Sequence, residues 1–262
     1  VTRTGAGTAW TRAGAYWFVS LRSRWRGFVA TSVLTPLLYL AGIGFGIGTL
    51  VGPVERSGGA TYAEFVAPGL LVAAAMQTAV SESTWPVMSA VRWSRQYHAQ
   101  LATPLTVTDV LLGHAAAVTV RLAVATGGFW LATVALGLAR LPWALLALPA
   151  AVLAGLAFAG PVMALSVRLT SDQPLTFVFR FVVVPLFLLG GVFAPVEEFP
   201  APVQALVAVA PLWHGVELAR AASLGPGAGA TPAVLWGHVA VLVGYAAAGW
   251  AAAVVAYRRR LS

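Results

Sequence analysis

Apolar residues run through this chain in long blocks, and the polar positions between them come in short clusters. A helix needs about 20 apolar residues to cross a hydrocarbon core of about 30 Å. On that measure the pattern predicts spans at 27–51, 63–88, 108–138, 143–169, 176–193 and 233–257. Before the first span, AWTRAGAYWFVSLRSRWR (9–26) sets Trp10, Trp17, Leu21 and Trp25 near one helical face, with Arg12, Arg22, Arg24 and Arg26 mostly elsewhere. That is the pattern of a helix lying in the membrane interface. A basic flank that only fixes orientation is the plainer alternative. Between the fifth and sixth spans, the apolar pieces of 195–224 are too short to cross and are punctuated by Pro and acidic residues, so they read as re-entrant or interfacial helices. The expected fold is an all-α polytopic membrane protein, with 1–262 forming a single transmembrane domain.

Composition supports this reading. The chain is 59% hydrophobic and only 9% charged, against about 25% charged residues in soluble domains. Its net charge of +8 comes entirely from arginine, since there is no lysine. A nucleic-acid-binding domain clusters its basic residues on one soluble face; here they are spread between apolar blocks, which fits anionic lipid and the positive-inside rule instead. With the N-terminus inside, twelve arginines fall on the inner segments and only Arg56, Arg140 and Arg220 on the outer ones, so both termini are expected in the cytoplasm. The first apolar run is not closed by a small-residue cleavage site and is not expected to be a cleaved signal. With no cysteine there is no disulfide framework, thiolate metal site or cysteine nucleophile.

The chemistry-bearing residues are few. RQYHAQLATPLTVTDVLLG (Arg95–Gly113) interrupts the apolar pattern on the inner side. Thr106 and Asp109 have the spacing that starts a helix, and Pro104 disfavours helix at Thr103. Arg92 to Ala102 leaves room for two or three turns, with Tyr97 and Leu101 on one face. A short surface helix offering apolar groups to the cytosol is expected, against the alternative of a solvated loop. Glu82 and Arg121 are the intramembrane charges, on the inner halves of neighbouring spans, and are expected to pair; a purely structural lock and a role in substrate movement remain alternatives. Gly42/Gly46 and Gly44/Gly48 form small-residue ridges that suit helix packing, and their spacing is wrong for a dinucleotide loop. His98, His114, His214 and His238 are dispersed in sequence without metal-site spacing, and Asp109 and Asp172 lie on separate connections. No catalytic or metal-binding residue is expected. Without lysine there is no P-loop, so any ATP-derived energy must come from another subunit.

FVAPGLL (Phe65–Leu71), Glu82-Ser-Thr, LATPLTVTDVLLG (Leu101–Gly113) and PLWHGVELARAASLG (Pro211–Gly225) together resemble the permease subunits of ABC type-2 exporters, within them the lipooligosaccharide (nodulation-factor) and drug-efflux branch. The resemblance covers nearly the whole chain. It implies six spans, re-entrant helices before the last, and two permease copies (a homodimer, or a heterodimer) on a pair of separate ATPase subunits. ATP and Mg2+ would be bound there, with no cofactor in this chain. It further implies a coupling helix at 95–105 that docks on the ATPase through Arg95, Tyr97, His98, Leu101, Thr103 and Pro104. Phe193, Pro195, Phe199, Trp213, His214 and Glu217 would belong to an outer gate, and the first-span glycines with the fifth span would line the dimer seam. The expected substrate is lipid-linked, glycolipid or an amphipathic drug, exported across the bacterial inner membrane. Two alternatives lack their own signals: a secondary transporter usually shows repeated halves, and an intramembrane lipid-modifying enzyme needs convergent reactive groups at membrane depth.

Overall fold

The computed structural model describes residues 6–48, 60–225 and 231–261, and the described residues are dominated by helix. Helix α1 (Ala6–Tyr39) continues into a π-helical segment, Leu40–Ile47. Helix α2 (Tyr62–Ser83) is followed by the short α3 (Trp85–Met88), a π turn (Ser89–Trp93) and α4 (Gln96–Leu101). After α5 (Val107–Ala135) a 3-10 turn (Trp143–Leu146) leads into α6 (Ala147–Ser166). Helices α7 (Gln173–Val178) and α8 (Val184–Leu189) are joined by a π turn (Phe179–Val183). A 3-10 turn (Val196–Glu198), α9 (Ala201–Val209), α10 (Pro211–Leu224) and α11 (Pro232–Leu261) complete the chain.

Local chemistry sets the helix starts. Thr61 and Glu64 form a reciprocal capping box on α2, and Thr106 and Asp109 form one on α5. Each satisfies amide donors that the first turn leaves without partners. Helix α2 breaks at Thr84, whose backbone lies outside helical values (φ −102°, ψ −95°), just before Pro86. Pro86 cannot donate to the preceding turn, so the chain changes direction there.

Helix α6 sits at the centre, packed against α2, α5, α10 and α11, while α1 lies along α5. Lipid tails are as apolar as leucine, so close backbone approach rather than hydrophobic burial drives such packing. Two glycine crossings achieve it. A Cβ on Gly249 of α11 would fall 2.2 Å from Pro161 Cδ of α6, and one on Gly113 of α5 would fall 2.6 Å from the Gly14 nitrogen of α1.

Among the described residues, five stretches are long and apolar enough to cross a membrane: Trp25–Gly46, Tyr62–Trp93, Val107–Ala135, Trp143–Ser166 and Pro232–Leu261. The stretch expected to cross at 176–193 is the shorter helix Gln173–Leu189. At ~1.5 Å per residue it reaches roughly 25 Å, and Gly190 and Gly191 (φ +78°) turn the chain at its end. Helix α1 runs unbroken through the boundary expected at 26/27, because Gly27 alone does not break a helix and the first proline inside is Pro36, while the membrane-length apolar stretch starts at Trp25. The second span continues beyond 88 to Trp93, and the last continues beyond 257 to Leu261, carrying Arg258, Arg259 and Arg260 in its final turn. Positive charge at that end complements the helix dipole. Residues 49–51 of the expected first span lie outside the described residues.

Candidate functional site

Where α2 breaks, the chain opens a cavity of about 790 Å³ between α1, the 82–96 segment and Arg121 of α5. Its size falls in the range of about 300–1,000 Å³ typical of small-molecule sites. Tyr16, Trp17, Phe28, Trp85 and Trp93 supply aromatic surface, and Ser20, Thr31, Ser89, Ser94 and Gln96 supply polar groups. Glu82 and Arg121, two of its lining residues, form an ion pair whose side chains are only 14% and 13% exposed. The Arg121 guanidinium also lies 5.9 Å from the Phe28 ring centre. Buried Arg121 Nε and Gln96 Nε2 have no hydrogen-bond partner. Both are donors, so the walls combine aromatic faces with groups that seek oxygen acceptors, and the ion pair leaves little net charge. Among the described residues no three His, Asp or Glu side chains gather as a metal site.

Next to the cavity, Arg95 takes a left-handed backbone conformation (φ 50°) and turns the chain into α4. His98, Thr103 and Pro104 are exposed and Leu101 is half-buried. Tyr97 differs from expectation: it is fully buried and offers nothing to the cytosol. Its hydroxyl is hydrogen-bonded to His114 Nδ1 at 2.5 Å and to the Tyr257 hydroxyl at 3.2 Å. Burial raises its pKa well above the ordinary tyrosine value, so it acts as a neutral hydroxyl. The reason is geometric: α4 is too short to turn one whole face outward, and α1, α5 and α11 all converge on its inner side. Gln100 Nε2 also donates to the Ala13 carbonyl of α1 at 3.0 Å.

At the other end of α2, α10 is fastened by Arg220. Its guanidinium lies 3.9 Å from the Phe65 ring centre, pairs with Glu217 at 2.6 Å, and donates to the Gly191 carbonyl at 2.6 Å. Half-buried Trp213 packs beside Gly191. Phe193 presents its carbonyl to the Tyr62 hydroxyl at 2.9 Å and its ring to Phe187, and Pro195 and Phe199 are half-buried nearby in sequence. The histidines, dispersed in sequence, are not all dispersed in space. His214 of α10 and His238 of α11 meet through their Nδ1 atoms at 2.7 Å, and His214 Nε2 donates to the Ala208 carbonyl at 2.9 Å. In neutral form His214 therefore accepts at Nδ1, and His238 carries the proton between them.

Of the first-span glycines, Gly44 and Gly48 face Ala63 and Tyr62 at the start of α2, and Gly42 faces open space. The tightest crossings, Gly14/Gly113 and Gly160/Gly249, were not singled out by sequence. Gly249 and Ala253, buried four residues apart, carry the same small-residue signal.

These features define a multi-pass helical membrane protein. The ABC-2 type transporter family matches residues 14–224, and the chain belongs to that family as a transporter permease. It is 30% identical over 242 residues to nodulation protein J of Rhizobium meliloti (strain 1021), an alignment covering 90% of this chain and 89% of the relative. It is 34% identical over 190 residues to nodulation protein J of Rhizobium leguminosarum bv. trifolii, covering 72% and 71%. To nodulation protein J of Rhizobium leguminosarum bv. viciae it is 30% identical over 241 residues, covering 90% of each chain.

Proposed function

We propose that this chain is the membrane subunit of an ATP-driven exporter, moving a lipid-linked, glycolipid or other amphipathic molecule out across the bacterial inner membrane. The observation that carries the reading is the aromatic cavity beside α4, a helix whose outer side presents His98, Thr103 and Pro104. A separate ABC ATPase, present in two copies and holding ATP and Mg2+, docks on that outer side. Two copies of this chain face each other across α1 and α7–α8, the seam that the family resemblance implies. Six crossings, with α7–α8 counted as the fifth and residues 195–224 re-entering from outside, set both termini in the cytoplasm as the arginine distribution requires. The neutralised ion pair and the aromatic walls suit an uncharged polar headgroup on an apolar tail better than an anion. The relatives named nodulation protein J fit the nodulation-factor exporter branch that the sequence resembles.

Affinity purification of the tagged full chain from native membranes tests the reading. A P-loop ATPase should come with it, and amphipathic glycolipids should stimulate ATP hydrolysis by the reconstituted complex. Recovery of the chain with no ATPase would count decisively against it.

A further inference from the structure

This inference rests on the ATPase-driven reading above and concerns how motion at α4 reaches the cavity. Tyr97 connects α4 to three other helices. Its hydroxyl meets His114 of α5 and Tyr257 of α11, and its ring lies 6.4 Å from that of Trp17 of α1. His114 is itself buried and stacks flat on Trp17, with ring centres 3.7 Å apart and planes within 10°. The far side of that histidine leads to the cavity. Its Nε2 makes no hydrogen bond, and Trp17, on which it stacks, lines the cavity together with Glu82 and Arg121. A contiguous path of hydrogen-bonded and stacked rings therefore runs from α4 through Tyr97 and His114 to Trp17 in the cavity wall.

Such a path is suited to discrete movement. A buried hydroxyl or imidazole that loses its partner is penalised by about 1–3 kcal/mol, so α4 and its partners shift together or re-pair. We infer that Tyr97 and His114 are positioning residues that carry displacement of α4 to Trp17 in the cavity wall, so that the ATPase reshapes the cavity through them. Neither touches the ATPase or the cargo.

The chain has no cysteine, so a single Ser89→Cys in the cavity wall reports its state without background. The full chain with its ATPase is reconstituted in proteoliposomes, and the thiol-labelling rate is read with and without ATP. In the Ser89→Cys parent, ATP should change the rate several-fold. In Tyr97→Phe, ATPase association and labelling without ATP should match the parent, while the ATP-dependent change disappears and transport falls at least tenfold. His114→Gln, which keeps a donor and an acceptor near the same position, should restore part of the response that His114→Ala loses, and it carries the test if Tyr97→Phe fails to fold. A full ATP-dependent change in Tyr97→Phe, or in His114→Ala, overturns the inference. A parent chain that recruits no ATPase overturns the exporter reading and this link with it; a parent that recruits the ATPase and responds to ATP while Tyr97→Phe responds equally overturns the link alone.

Discussion

Replacing Arg121 by leucine should destabilise the protein far more than replacing Arg121 and Glu82 together. With the two side chains 13% and 14% exposed, most of the hydration of each charge has already been given up. Removing Arg121 leaves the Glu82 carboxylate mostly dry and without its guanidinium. Breaking a buried pair in this way costs about 3–5 kcal/mol, and an unpaired charge at a helix centre costs about 2.5–3.5 kcal/mol on insertion scales. The cation–π contact with Phe28, at 5.9 Å, adds about 0.5 kcal/mol. Residual exposure favours the low end, so Arg121→Leu should lose about 3 kcal/mol and Glu82→Leu a similar amount. The double variant removes both charges and should recover at least 2 kcal/mol of their sum. Thermal and denaturant unfolding of the purified chain in one detergent measures all four forms as a double-mutant cycle. Single variants that each stay within 0.5 kcal/mol of the parent, or a double variant equal to the sum of the singles, would refute the reasoning. Transport by the folded double variant then separates the roles: full activity leaves the pair a structural lock, whereas loss of transport with retained stability makes it part of the cargo path.

Gly249→Ala forces a Cβ to within 2.2 Å of Pro161 Cδ and 2.9 Å of its backbone nitrogen, so α11 and α6 must separate by about 1 Å; overpacking of this kind costs about 1–3 kcal/mol. Gly237→Ala on the same helix meets open space and should be neutral or mildly stabilising in the same melt, and equal melting of the two variants would contradict the packing. Arg220→Gln should lower the melting temperature by about 6 °C or more, taking about 2–4 °C per kcal/mol, because it strips the Glu217, Gly191 and Phe65 contacts together; a melt unchanged from the parent would exclude the lock. Acidification should loosen α10 from α11. Burial lowers the His214 pKa from its ordinary value, against the raising effect of the Ala208 carbonyl, so its contribution is intact above about pH 6.5 and is lost as pH falls below it. The pair holds one shared proton, and a second sets two cations 2.7 Å apart. No other charge nearby compensates: α6 and α9 carry no ionisable side chain, Glu217 is bound to Arg220, and the Tyr245 hydroxyl donates to the Val209 carbonyl. His238→Gln can still donate to His214 and should flatten the decline in melting temperature between pH 7.5 and 5.5; a decline identical to the parent's would remove the pair from the account.

What sequence revealed here depended on whether the information was local or scarce. The Thr106–Asp109 helix start was legible because both partners lie within one turn, and Thr61–Glu64 carries the same form at the start of α2. Glu82 and Arg121 could be matched because two charges on neighbouring apolar helices leave few other partners. Tyr97 could not be placed: six residues of helix define no dependable face, and its partner Tyr257 lies 160 residues away. His214 and His238 were hidden for the same reason, since α10 meets α11 only in the folded bundle. Glycine spacing marked the first span as a packing surface, yet which ridge is covered depends on where α2 begins, and Gly44 rather than Gly42 faces it.

Exposure alone is a poor guide to function in this fold, because an apolar side chain facing lipid needs no partner. The faces of α1 and α7–α8 that show Leu34, Leu38, Phe177 and Phe181 carry no more information than any lipid-facing helix. Polar side chains are different, since each must find a partner inside the protein. Sorted that way, the two arginine ion pairs both hold α2, which is buried along most of its length. Arg220 grips its first turns through Phe65, and Arg121 grips its last turn through Glu82. Helix α2 is therefore the fixed member, tied to α10 at one end and α5 at the other. The break at Thr84 lies just beyond the second tie, where the cavity opens and the path from α4 arrives. Movement between those two ties would cost a charged partner at one end or the other, whereas movement beyond Thr84 costs neither. Displacement that reshapes the cavity without breaking either tie is therefore displacement of the segment beyond Thr84, which is held by Arg92 on the Thr170 carbonyl and by the Tyr97 hydroxyl instead.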